Sequence, residues 1–122
     1  MEPALIMKTA LALLTIAALG GVVMAGVRFG KNANPPSWLA MLHGLLAAAA
    51  LTLLIYAHFT VGLPSLAGWA TLVFIVAALG GLVLNLGYHV KGQLLSSGIT
   101  LVHASVAVVG YILLAMAVFG VR

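Results

Sequence analysis

Ala17-Ala18-Leu19-Gly20-Gly21 returns sixty residues later as Ala77-Ala78-Leu79-Gly80-Gly81, and that recurrence decides how the rest of the chain is read. In the same register Lys31 meets Lys91, His43 meets His103, Ala47 meets Ala107, and Leu53-Leu54 meets Leu113-Leu114. Self-similarity at a fixed period marks a duplicated structural unit. Alanine and leucine are so abundant here that their coincidence says little. Lysine and histidine are scarce, so their matched positions carry the inference. Repeat 1 covers about residues 4–62 and repeat 2 about residues 64–122.

Both repeats belong in a bilayer. The chain is 65% hydrophobic and 5% charged, whereas a soluble domain carries about a quarter of its residues as charges, so the outer surface must face lipid. With no cysteine, disulfides, thiolate metal sites and the Cys-x-x-Cys-His attachment of c-type haem are excluded. The cations Lys8, Arg28, Lys31, Lys91 and Arg122 are scattered against the single acid Glu2. At helix ends they read as interfacial anchors, and they form no surface for nucleic acid.

About twenty apolar residues cross a bilayer, and four stretches qualify: Thr9 to Val27, Trp38 to Val61, Leu66 to Gly87 and Ser97 to Phe119. Arg28 to Pro36 ends the first with charge, glycine and paired proline. Ser37 is expected to cap the second span and Ser65 the third, after the turn Gly62-Leu63-Pro64. His89 to Gln93 makes the last break, leading to Ser96 and Ser97. Short connections force antiparallel neighbours. The expected fold is an all-α membrane protein, an up-down-up-down four-helix transmembrane bundle built from two tandem two-helix repeats. Met1 to Ala25 has the outline of a cleavable signal peptide, but the same segment recurs in the interior third span, so retention is expected. The two basic loops, with Arg28, Lys31 and Lys91, outweigh the opposite side, which places them in the cytoplasm and both termini outside.

A histidine inside a lipid-embedded helix is costly and marks a functional site by default. An even number of spans per repeat makes spans two and four parallel and diagonal, so His43 and His103 lie at similar depth, able to point at each other across the axis. Two opposed nitrogens suit a hexacoordinate haem iron. From His43, Ala47, Ala50 and Ala57 follow at intervals of four, seven and fourteen, and from His103, Ala107, Gly110 and Ala117 do the same. At about 100° per residue all stay within about 40° of the histidine's direction. Such a stripe leaves room for a porphyrin; it also serves ordinary close packing of membrane helices.

Competing readings use the same pair. A closed zinc site takes four ligands, and no span contains an acid to complete one. That absence also argues against a proton- or cation-coupled transporter with an acidic relay, although a small metal or proton transporter stays open, as does chlorophyll binding. A non-catalytic membrane subunit or assembly factor with incidental histidines is the main alternative. Around the pair, Arg28, Lys31 and Lys91 either meet haem propionates or snorkel to the interface. His89, emerging on the same side, is a propionate contact, proton carrier or quinone contact, or a solvated interfacial residue. Asn85 is the only amide deep in a span, and Tyr111 lies inside span four near the expected cofactor edge. Trp38, Trp69, Tyr56, Tyr88 and Phe59 form an aromatic belt.

Four spans with histidines facing inward from the second and fourth resemble the transmembrane b-type cytochromes, both the ascorbate-reducible family and the small bacterial cytochrome b carriers. The resemblance covers most of the chain in architecture and rests on His43, His103 and the small-residue stripes. It implies a multi-pass protein of the bacterial inner membrane that carries electrons on haem b, from quinol or another small reductant to a partner protein, alone, as a homodimer or docked on a larger enzyme. Members commonly hold two haems, with paired histidines on one helix. His58 lies fifteen residues beyond His43, about 22 Å along the axis, but its repeat match is Val118. One haem b per chain is therefore expected.

Overall fold

A computed structural model describes residues 2–120. Arg122, one of the anchoring cations expected above, lies outside them. Four helices follow in order: α1 (Pro3–Gly30), α2 (Ser37–Thr60), α3 (Ser65–Leu84), continued by a π-helical turn (Asn85–His89), and α4 (Ser97–Val118). Each neighbour in the chain packs alongside the last, and α1 closes the ring against α4. The result is the expected up-down-up-down four-helix bundle, and packing is most extensive within each hairpin, α1 with α2 and α3 with α4. All four are long and apolar enough to cross a membrane. With the π-helical turn counted into the third span, the shortest is α4, whose 22 residues make about 33 Å at 1.5 Å per residue, against about 30 Å of hydrocarbon. Leucines and valines such as Leu19, Val22, Leu79 and Leu82 are exposed on its outside, which identifies a multi-pass integral membrane protein.

The helix starts differ from expectation. Pro36 and Pro64 occupy the N-cap positions of α2 and α3, and Ser37 and Ser65 are the first helical residues, with no side-chain cap. Proline's fixed φ is already that of a helix entry, and its missing N–H removes one donor the helix would leave unpaired. Ser96 does cap α4, its hydroxyl accepting from Ile99 N–H at 3.3 Å. α1 begins at Pro3, well before Thr9, again with proline in the first turn. Gly62, at φ +81°, closes α2 by donating to Ala57 O at 2.8 Å, a left-handed position that any side chain would strain.

The close-packed core lies in the half of the bundle remote from His43 and His103. It unites Met7, Ala10 and Leu14 of α1, Ala50 and Leu54 of α2, Ala67, Ala70 and Phe74 of α3, and Leu114 and Ala117 of α4. Repeat-matched positions fill it in compensating sizes: Leu14 accompanies Ala50 in repeat 1, where Phe74 accompanies Gly110 in repeat 2. A Cβ on Gly110 would stand 3.0–3.2 Å from three Phe74 ring atoms, so the larger ring occupies what the missing methyl leaves. Beside this core a polar bond crosses the seam between α1 and α4, Thr15 Oγ1 to Tyr111 Oη at 2.7 Å. Thr15 already donates to Leu11 O, so the phenol is the donor.

At the opposite end the two longer loops interlock. Arg28, buried, donates through Nε to Leu95 O at 2.7 Å and through Nη1 to Asn32 Oδ1 at 3.1 Å. Asn34 donates to Gln93 O at 2.7 Å and accepts from Leu95 N–H at 2.9 Å. His89 Nε2 donates to Pro35 O at 2.8 Å. The clasp joins the two repeats.

Candidate functional site

The AALGG segments do more than set the repeat register. Ala17 and Gly21 are one turn apart on α1, on the face that meets α2, and Ala77 and Gly81 hold the same places on α3 against α4. Ala17 O accepts from His43 Nδ1 at 2.7 Å, and Ala77 O accepts from His103 Nδ1 at 2.7 Å. The glycine one turn on makes room for the ring. A methyl at Gly21 would come within 3.1 Å of His43 Cε1, and one at Gly81 within 3.2 Å of His103 Cε1. Each histidine is thus seated wholly by its own repeat.

Those bonds fix the chemistry of the rings. A carbonyl oxygen only accepts, so Nδ1 carries the proton in both imidazoles. In a neutral ring the other nitrogen, Nε2, is then a bare lone-pair donor. A backbone carbonyl at Nδ1 is the usual partner of a metal-ligating histidine, setting its tautomer and raising its basicity.

The two seated rings meet across the bundle axis, their centroids 6.2 Å apart and their planes at 75°. Two imidazoles bonded to one metal through nitrogen, at about 2.0–2.1 Å per bond and ~1.1 Å from nitrogen to ring centre, have centroids roughly 6.3 Å apart. A direct N–H···N hydrogen bond would draw the centroids to about 5 Å. The observed separation is close to the first of these values and also lies within the 4.5–7 Å of ordinary edge-to-face ring packing. Among the described residues no group of three or more His, Cys, Asp or Glu could hold a metal ion.

The small-residue stripes divide. Ala47 and Ala107, one turn beyond the histidines, are half-buried like the histidines themselves, whereas Ala50 and Gly110 are buried in the packed core. Phe74 packs over Gly110 about 10 Å from the level of His103, seven residues along at 1.5 Å each. Arg28 and His89 are engaged in the loop clasp. Lys31 and Lys91 are exposed at the histidine-bearing end. His58 is exposed at the far end, edge-on to Phe59 with centroids 5.1 Å apart. Asn85 is half-buried at the start of the π-helical turn, and Tyr111 serves the seam with Thr15.

No protein-family model matches the chain, and neither a curated protein nor a solved structure matches it. The site stands on its own geometry.

The sequence brings His43 and His103 to one depth, where the structure has their rings 6.2 Å apart, but Ala17, Ala77, Gly21 and Gly81 were overlooked. The signal was present: the longest identical run between the repeats precedes each histidine by the same 26 residues. An alanine acting through its carbonyl and a glycine acting through an absent methyl leave no chemical mark in a sequence.

Proposed function

We propose that this protein is a membrane electron carrier that holds one haem b between His43 and His103 as axial ligands. The observation that carries the reading is the pair itself, two imidazoles opposed at 6.2 Å, each with Nδ1 bonded to a carbonyl and Nε2 bare. Two donors are too few for a metal ion alone, and suffice for an iron whose four equatorial nitrogens come from a porphyrin. One turn beyond each histidine stands a half-buried alanine, Ala47 and Ala107, whose small side chains leave the neighbouring helix face open to a flat group.

When bound, such a group would supply one-electron chemistry, and His43 and His103 are the residues that would hold it. The chain's own part is to fix both rings in one tautomer, to exclude bulk water with an apolar bundle, and to present the exposed Lys31 and Lys91 at the nearby end. A lipid-soluble quinol or a docked redox protein is the proposed exchange partner.

A second reading rests on the same contact. Edge-to-face rings at 4.5–7 Å are an ordinary packing arrangement, so a structural membrane subunit could hold its histidines this way. Oxidised and dithionite-reduced absorption spectra of the protein purified from haem-replete cells, with a pyridine assay for stoichiometry, separate the two. Sharp reduced α and β bands at about one haem per chain, lost in His43→Ala or His103→Ala, support the carrier. A colourless protein would sink it and favour the subunit. A colourless protein whose metal uptake depends on the pair would mean transport.

A further inference from the structure

We infer that Gly21 and Gly81 are positioning residues: each holds one imidazole in the orientation that aims Nε2 at a shared ligand, and the two act independently because each half of the site is completed within one hairpin. The inference deepens the haem reading and rests on it for the identity of the ligand.

Three observations carry it. First, the tightest prospective Cβ contact falls on the same ring atom in both halves, Cε1, at 3.1 Å for Gly21 and 3.2 Å for Gly81, with the ring nitrogens no nearer than 3.5 Å. Cε1 lies between the two nitrogens, so a push there both lengthens the Nδ1 bond to the carbonyl and swings Nε2. Second, the flanking Gly20 would meet Leu39 and His43 only at 3.8–4.0 Å, an ordinary contact, and Gly26 and Gly44 have open space around them. The restriction is thus specific to one glycine per hairpin, not a general demand for small residues. Third, the carbonyl acceptor and the glycine that seat His43 both belong to α1, and those that seat His103 both belong to α3. Neither ring is bonded to the other hairpin among the described residues. The only thing the halves share is the space between the rings.

A methyl at Gly21 should therefore release His43 and leave His103 in place, and a methyl at Gly81 should do the reverse. Losing an outer partner of a ligating histidine costs about 10–100-fold in affinity, and that is the expected fall in haem affinity for either variant.

The test has two readouts. Nitrogen NMR of isotope-labelled, haem-free protein in detergent reports the tautomer of each imidazole. The parent should show Nδ1–H for both; Gly21→Ala should disturb His43 alone, Gly81→Ala His103 alone, and Gly44→Ala neither. After reconstitution with haemin, the parent should be six-coordinate and low-spin. Gly21→Ala should become largely five-coordinate and high-spin, with free imidazole restoring the low-spin spectrum. Unchanged tautomers and spectra, or equal disturbance of both histidines by either variant, would overturn the assignment. If the parent takes up no haem while the NMR pattern appears, the carrier reading fails and the positioning role stands. Should Gly21→Ala not accumulate, the His43→Gly/Gly21→Ala pair should, because removing the ring frees the space; failure of that pair as well would count against the inference.

Discussion

The two ends of this bundle are built on different terms. At the end where α2 turns into α3, Leu54 and Leu114 are completely buried and Phe74 fills the notch above Gly110. At the other end His43, His103, Ala47 and Ala107 are half-buried beside the buried Ala17, Leu39, Ala77 and Leu84, and the polar clasp between loops closes the structure. One end maximises contact between side chains. The other gathers two histidines and a polar clasp. The lesson is that close apolar packing and polar contacts have been assigned to different ends of one bundle.

Four tests by substitution probe that division, in decreasing order of effect. His43→Ala or His103→Ala should abolish haem uptake, a loss of well over tenfold by spectral titration, while leaving thermal unfolding in detergent nearly unchanged, because neither ring belongs to the packed core. Leu54→Ala or Leu114→Ala should do the opposite, lowering stability by about 2–3 kcal/mol through the cavity left behind without moving the spectrum. If the leucine changes spared stability, or the histidine changes collapsed the fold, the two ends would not be separable.

Gly110→Ala tests the compensation inside the packed end. The new methyl meets the Phe74 ring at 3.0 Å, and overpacking of this kind costs about 1–3 kcal/mol. Adding Phe74→Leu restores the Leu14–Ala50 combination of repeat 1 and should recover most of that loss. A double-mutant cycle that comes out additive would contradict it. Tyr111→Phe should have the smallest effect: removing the hydrogen bond to Thr15 across the seam is worth about 0.6 kcal/mol for a polar contact within a membrane, measured by a cycle with Thr15→Val.

The packed end was the easier one to read in sequence. Span number, hairpin order and the pairing of His43 with His103 all follow from hydropathy and a sixty-residue period, signals that side-chain types express directly. The stripe Ala47, Ala50, Ala107, Gly110 was legible as a helical face, but not where along it the opening stops, because Phe74 arrives from another helix. Arg28 looked like an anchor or an anion contact. Its partner is a backbone carbonyl in a loop 67 residues away, and carbonyls are common to every residue. The π-helical turn had no composition cue at all: Lys91 follows Gly81 at the same interval as Lys31 follows Gly21, yet α1 stays regular through Gly30 while α3 widens at Asn85–His89.

That widened turn gives the molecule a front and a back. Two identical hairpins would surround the histidines with interchangeable edges, and a visitor approaching from either side would meet the same surface. Here one edge presents Asn85, Tyr88 and His89, while the matching stretch of the first repeat is Ala25, Arg28 and Phe29. The duplicated gene product has thereby escaped the constraint of a homodimer, in which any change on one side must appear on the other. Its histidine pair stays nearly two-fold, and its surroundings are free to differ.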